Sequence, residues 1–139
     1  FSGFNGRITY QWQPTDKLGL TINGWRLTSS MNNLTANFSL NTGVSVIPSW
    51  NITQKIRLEG DFSYETRNFN RFVALTDPLV PLGRHNTFRN AALRLNYNPY
   101  PGLQLSTSIY HSDVSTDSPL GGFNANGVTA NLQYIYGQR

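Results

Sequence analysis

The chain has 139 residues, 13% of them charged and 13% aromatic, a formal net charge of +4 and no cysteine. The missing cysteine excludes a disulfide framework, a Cys-ligated zinc and thiol chemistry, and the short apolar runs exclude a transmembrane helix. The basic residues stand singly, which argues against nucleic acid, and 47 Asn, Ser, Thr and Gln interleaved with aromatic and β-branched residues argue against disorder.

The pattern has period two along almost the whole chain. Ile8, Tyr10 and Trp12 alternate with Arg7, Thr9, Gln11 and Gln13. Leu18, Leu20 and Ile22 alternate with Gly19, Thr21 and Asn23. Phe38, Leu40, Val44 and Val46 alternate with Asn37, Ser39, Asn41 and Ser45. Ile56, Leu58, Phe62 and Tyr64 alternate with Arg57, Glu59, Asp61, Ser63 and Glu65. Ala91, Leu93, Leu95 and Tyr97 alternate with Asn90, Arg94 and Asn96. Leu103, Leu105 and Ile109 alternate with Gln104, Ser106, Ser108 and Tyr110. Val128, Ala130, Leu132, Tyr134 and Tyr136 alternate with Thr129, Asn131, Gln133 and Ile135. Successive strand side chains point to opposite faces, so each run has one apolar and one polar face. The pattern predicts an all-β fold: an antiparallel up-and-down meander of about seven strands.

The predicted connections alternate. Residues 14–17, 51–55 and 98–102 form tight turns. Thr28 to Leu34, Asn68 to Asn86 and Ser112 to Phe123 form longer loops. All tight turns then lie at one end of the meander and all long loops at the other. A repeat marks the unit as a hairpin: Trp12 to Leu20 and Trp50 to Leu58 share Trp-x-x-Thr-x-Lys-(Leu/Ile)-x-Leu, with a looser copy from Tyr97 to Leu105.

Two architectures share this pattern. A soluble β-sandwich packs the apolar face into its core; a transmembrane barrel turns it to lipid and encloses the polar face. Several features favour the barrel. The strands run to about ten residues, enough to cross a bilayer at a tilt. The long loops segregate to one end, as in outer-membrane barrels. Trp12, Trp50, Tyr97, Tyr100 and Tyr136 stand at the short-turn end, where an interfacial girdle belongs. Lys17 and Lys55 fall in the short turns, and between those turns and the long loops the apolar face carries almost no charge, the exceptions being Arg26 and Arg89 near the loop end. Seven strands place Phe1 at the loop end. Bacterial single-chain barrels have even strand numbers, so residues 1–139 read as one segment, the C-terminal part of a larger barrel lacking at least one preceding strand.

The stretches Tyr10-x-Trp12-x-Pro14-Thr15-x-Lys17-x-x-Leu20 and Thr53-x-Lys55-Ile56-x-Leu58, with Phe62-x-Tyr64-Glu65-x-Arg67, resemble a family of β-barrel porins. The closest likeness is to EpsL-type barrels that accompany exopolysaccharide biosynthesis and export clusters. The resemblance implies the bacterial outer membrane, contact with its lipid, and passage of polysaccharide with export machinery as partner. Such barrels commonly end in an aromatic, whereas this chain ends Tyr136-Gly137-Gln138-Arg139.

The candidate lumen lining is the polar face: Arg7, Gln11, Asn37, Asn41, Arg57, Glu59, Asp61, Glu65, Arg67, Arg94, Asn96, Gln104, Asn131 and Gln133. The charges from Arg57 to Arg67 share one parity, about 7 Å apart per step of two. They read either as a selectivity lining or as a salt-bridge ladder stiffening the wall. Glycosidase chemistry fits poorly, since Glu59 and Glu65 lie about 20 Å apart on one strand and a carboxylate pair needs about 5–9.5 Å. His111, Ser112 and Asp113 are adjacent, so they face alternate sides and do not build a triad. His85 reads as a solvated loop residue. The apolar loop between Asn68 and Asn86 reads either as an inward plug or as a packed outer loop. The expectation is a non-enzymatic, cofactor-free barrel segment passing or holding a hydrophilic solute. The alternatives are a structural or adhesive barrel and a soluble carbohydrate-binding sandwich.

Overall fold

A computed structural model describes residues 4–33, 36–70, 84–117 and 121–136, with side chains for all of these except 30–38, 70 and 84. Seven strands follow in chain order: β1 (Gly6–Thr15), β2 (Leu18–Asn33), β3 (Ala36–Asn51), β4 (Ile56–Asn70), β5 (Arg84–Tyr100), β6 (Leu103–Thr116) and β7 (Phe123–Tyr134). They form one sheet in the order β1-β2-β3-β4-β5-β6-β7, each antiparallel to the next. Among the described residues each strand touches only its neighbours in sequence. Among these residues there is no second layer, and β1 does not meet β7, so this sheet is neither a sandwich nor closed into a barrel.

The turns follow from local chemistry. Thr15 Oγ1 accepts the amide of Leu18 (3.1 Å) across Asp16-Lys17. Thr53 Oγ1 accepts the amides of Lys55 and Ile56, each at 3.1 Å. Pro101-Gly102 links β5 to β6, with Gly102 at a φ of +93°. Pro followed by a positive-φ Gly is the pairing a type II turn needs.

At the other end the strands run further than the hydrophobic pattern indicates. Thr28 to Leu34 reads as a loop in the sequence, but β2 continues to Asn33 and β3 begins at Ala36. Likewise β4 reaches Asn70, β5 starts at Arg84 and β6 extends to Thr116. The backbone ladder continues where the sequence is mostly polar and Phe69 and Val114 stand out of phase with the apolar stripes of their strands, and there the alternation carries no signal. His85 is therefore a strand residue, facing Asn68, not a loop residue. The expected plug segment falls on residues 71–83, outside the described residues. At the C-terminal end β7 stops at Tyr134, two residues before the expected Tyr136.

Among the described residues no hydrophobic side chain is buried; the buried polar ones are Ser39, Ser45 and Thr87. Most apolar side chains share one face and remain open: Ile8 and Val128 are each 72% exposed and Leu132 68%. On β4 the apolar stripe from Ile56 to Tyr64 is about 27 Å long at ~3.4 Å per residue.

The register gives this face a direction. Trp12 shares a cross-strand row with Leu20 and Pro48. That row continues through Gly60, Leu93 and Ile109 to Val128. Trp50, opposite Leu18, stands one row nearer the short turns. Tyr97, opposite Ile56 and Leu105, stands one row further, and Tyr134, opposite Leu103, one further again. These four aromatics on alternate strands lie on a straight line. It falls by one residue per strand, about 3.4 Å along for 4.8 Å across, a slant of about 35°.

Candidate functional site

The opposite face is polar because every strand contributes its hydrophilic parity to it. Arg7, Gln11, Asn41, Arg57, Glu59, Asp61, Glu65, Arg67, Arg94, Asn96, Gln104, Asn131 and Gln133 all occupy register positions on this side. Asn37 lies in β3, with its side chain outside the described set. The aromatics Trp12, Trp50 and Tyr97 take the other side. Tyr100 closes β5 opposite Leu103, beyond a register shift. Tyr136 lies past β7, its ring 6.4 Å from that of Tyr134.

Mid-height, the polar face carries a belt of side-chain hydrogen bonds. Thr9 Oγ1 donates to Asn23 Oδ1 (2.9 Å), and Asn23 Nδ2 donates to Ser45 Oγ (3.1 Å). Across the next strands Asn90 Nδ2 donates to Ser63 Oγ (3.4 Å) and Ser112 Oγ to Asn90 Oδ1 (2.6 Å). All these residues stand in one cross-strand row. Small amides and hydroxyls here satisfy each other while remaining able to exchange partners with a hydroxylated solute.

The charges lie mainly along β4. Arg57 Nη2 pairs with Glu59 Oε1 and Arg67 Nη2 with Glu65 Oε1, both at 2.8 Å. Both bridges join residues two apart on one strand. They are partly solvated, where an ion pair contributes about 0–1 kcal/mol. Arg94 faces Glu59 in the register, and Asp61 faces Ala92.

Toward the loop end the polar face changes character, which the alternation did not reveal. Trp25 belongs to it, in a row that runs Arg7, Trp25, Gly43, Glu65, Phe88, Val114, Phe123. Its indole covers Gly43 so closely that a Cβ there would lie 2.4 Å from Cζ2. The indole Nε1 donates to Glu65 Oε2 at 3.2 Å. Glu65 Oε1 is held by Arg67, whose guanidinium lies 4.8 Å above the Phe88 ring. The signal available in the sequence was Trp25 following Gly24, out of phase with Leu20 and Ile22. Similarly, Tyr110 covers Gly127, where a Cβ would meet the ring at 2.2 Å. In the row beyond, Asn41 Oδ1, Arg67 Nε and Asn86 Oδ1 are buried without partners.

Comparison with family models, curated proteins and solved structures returns no match to this chain.

The residues weighed for catalysis do not converge. His111 Nδ1 is engaged with Asn126 Oδ1 at 2.5 Å. Ser112 turns to Asn90, while Asp113 meets Arg89 at 3.7 Å and accepts from Ser115 at 3.4 Å. His85 Nδ1 meets Asn68 Oδ1. Among the described residues no three His, Cys, Asp or Glu side chains gather as a metal-binding group. Arg89 and Asp113 sit at the upper edge of the apolar face, and the Arg89 guanidinium lies 6.0 Å from the centre of the Tyr64 ring.

Proposed function

We propose that this sheet is part of the wall of a bacterial outer-membrane β-barrel, with its apolar face toward lipid and its polar face toward enclosed water. The polar face would pass or hold a hydrophilic solute, exopolysaccharide being the class that the sequence resemblance implies. The observation that carries this reading is the straight aromatic line through Trp12, Trp50, Tyr97 and Tyr134. Its slant of about 35° matches the 35–45° strand tilt of membrane barrels. Strands inclined by that angle bring the four rings level, as a planar membrane interface requires. The apolar stripe of β4 then rises about 22 Å, close to the ~25 Å band of such barrels. The apolar side chains, left open by a one-layer sheet, also find an apolar solvent in this arrangement.

Lone strand edges carry unpaired amides and carbonyls that lipid cannot satisfy. The reading therefore requires further strands against β1 and β7. β1 and β7 run in the same direction, so antiparallel closure needs an odd number of them.

Tryptophan fluorescence tests the reading. In bilayers of phospholipid brominated on the acyl chain, single-Trp chains retaining Trp12 or Trp50 are quenched. The chain retaining only Trp25 is not quenched by bromine, yet responds to aqueous acrylamide. Equal behaviour of all three tryptophans would sink the assignment of the faces.

A further inference from the structure

We propose that Trp25 is a stacking platform for a neutral pyranose unit of a glycan lying against the polar face. This rests on the hydrated-face half of the reading above, and it adds a site that the alternation of the sequence did not reveal. Trp25 is half-buried, and with Phe88, Val114 and the exposed Phe123 of the same row it sets an apolar strip into a face built mainly of amides, hydroxyls and charges, a recurrent mark of a binding site. One side of the ring is occupied by Gly43, the only residue type that leaves room for it. Its nitrogen is fixed by Glu65, and Glu65 is fixed in turn by Arg67. The ring is thus held in one orientation before any ligand arrives, which lowers the entropy lost on binding.

The apolar C–H face of a pyranose carries partial positive charge and complements the negative face of an aromatic ring. The hydroxyls at its rim meet Arg67, whose guanidinium has more N–H groups than its bond to Glu65 uses. The Glu65 carboxylate at the ring nitrogen is already paired with Arg67, so this pair offers no net positive charge to draw an acidic sugar.

The test uses the full chain with Trp12→Phe and Trp50→Phe, folded in detergent micelles, so that emission reports Trp25 alone. Maltohexaose and isomaltohexaose are the neutral probes, and hexagalacturonate is the acidic one. The expected result is a saturable change in emission with at least one neutral probe and none with the acidic probe. In the otherwise wild-type chain, calorimetry should find that probe bound about tenfold more weakly after Trp25→Val, with Trp25→Phe retaining most of the affinity. Retention by Trp25→Phe, whose ring still covers Gly43, separates stacking from a merely structural role of the side chain. No saturable change with either neutral probe, a response to hexagalacturonate alone, or undiminished binding by Trp25→Val would each overturn the proposal. Bromolipid quenching at Trp12 and Trp50 is read separately. Sugar binding without quenching sinks the membrane reading and keeps this site; quenching without sugar binding does the reverse.

Discussion

Single residues decide where this sheet can be smooth and where it must be notched. Gly43 and Gly127 are open positions that aromatic rings of neighbouring strands fill, Trp25 over the first and Tyr110 over the second. A side chain at either would displace a ring rather than fill a gap. Gly43→Val is therefore expected to destabilise the fold by about 1–3 kcal/mol, the usual range for overpacking, read as a lower urea midpoint for unfolding from micelles. In a Trp25→Ala background the same substitution should cost clearly less, because the clash has gone. An unchanged cost in that double-mutant cycle would mean that the ring is not what excludes the side chain.

At the level of the strand, one element carries two faces of opposite polarity. In β4, Leu58 and Phe62 face one way, and Glu59 and Asp61 the other. A one-residue slip would exchange the two sets entirely, so register fixes which face each set takes. The apolar band also has a measurable edge. Leu93 lies within it, whereas Thr66 lies beyond Tyr64 and bonds to the Thr42 carbonyl at 3.4 Å. If the band meets acyl chains, Leu93→Arg should cost about 2–4 kcal/mol in lipid vesicles and Thr66→Arg about 0–1. Equal costs at the two positions, measured by unfolding from vesicles, would contradict a lipid-facing band.

For the whole molecule, the consequences of the proposed function lie on the polar side. Glu59 and Asp61 stand on the polar face near the middle of the sheet, and Glu59 already pairs with Arg57. In a conducting channel, Glu59→Lys with Asp61→Lys should shift reversal potential toward anion preference under a salt gradient. Unchanged selectivity in an open channel would move these residues away from the conduction path. The same charges would then serve as a stiffening ladder, the role their i, i+2 pairing also fits.

The amino-acid sequence by itself determined the strand number, the antiparallel order, the short turns and the face to which almost every side chain belongs. These follow from a period of two, a property of one residue and its immediate neighbours. His85 and the segment Thr28 to Asn33 escaped that reading because these stretches of sequence hold no apolar residues at regular alternate positions. Register was decided only by the tertiary structure, since it depends on pairing between distant strands. From register came the level of Trp12, Trp50, Tyr97 and Tyr134, and the approach of Trp25 to Glu65, 40 residues away in the chain. No local pattern encodes either, because both are sums of offsets accumulated across several hairpins.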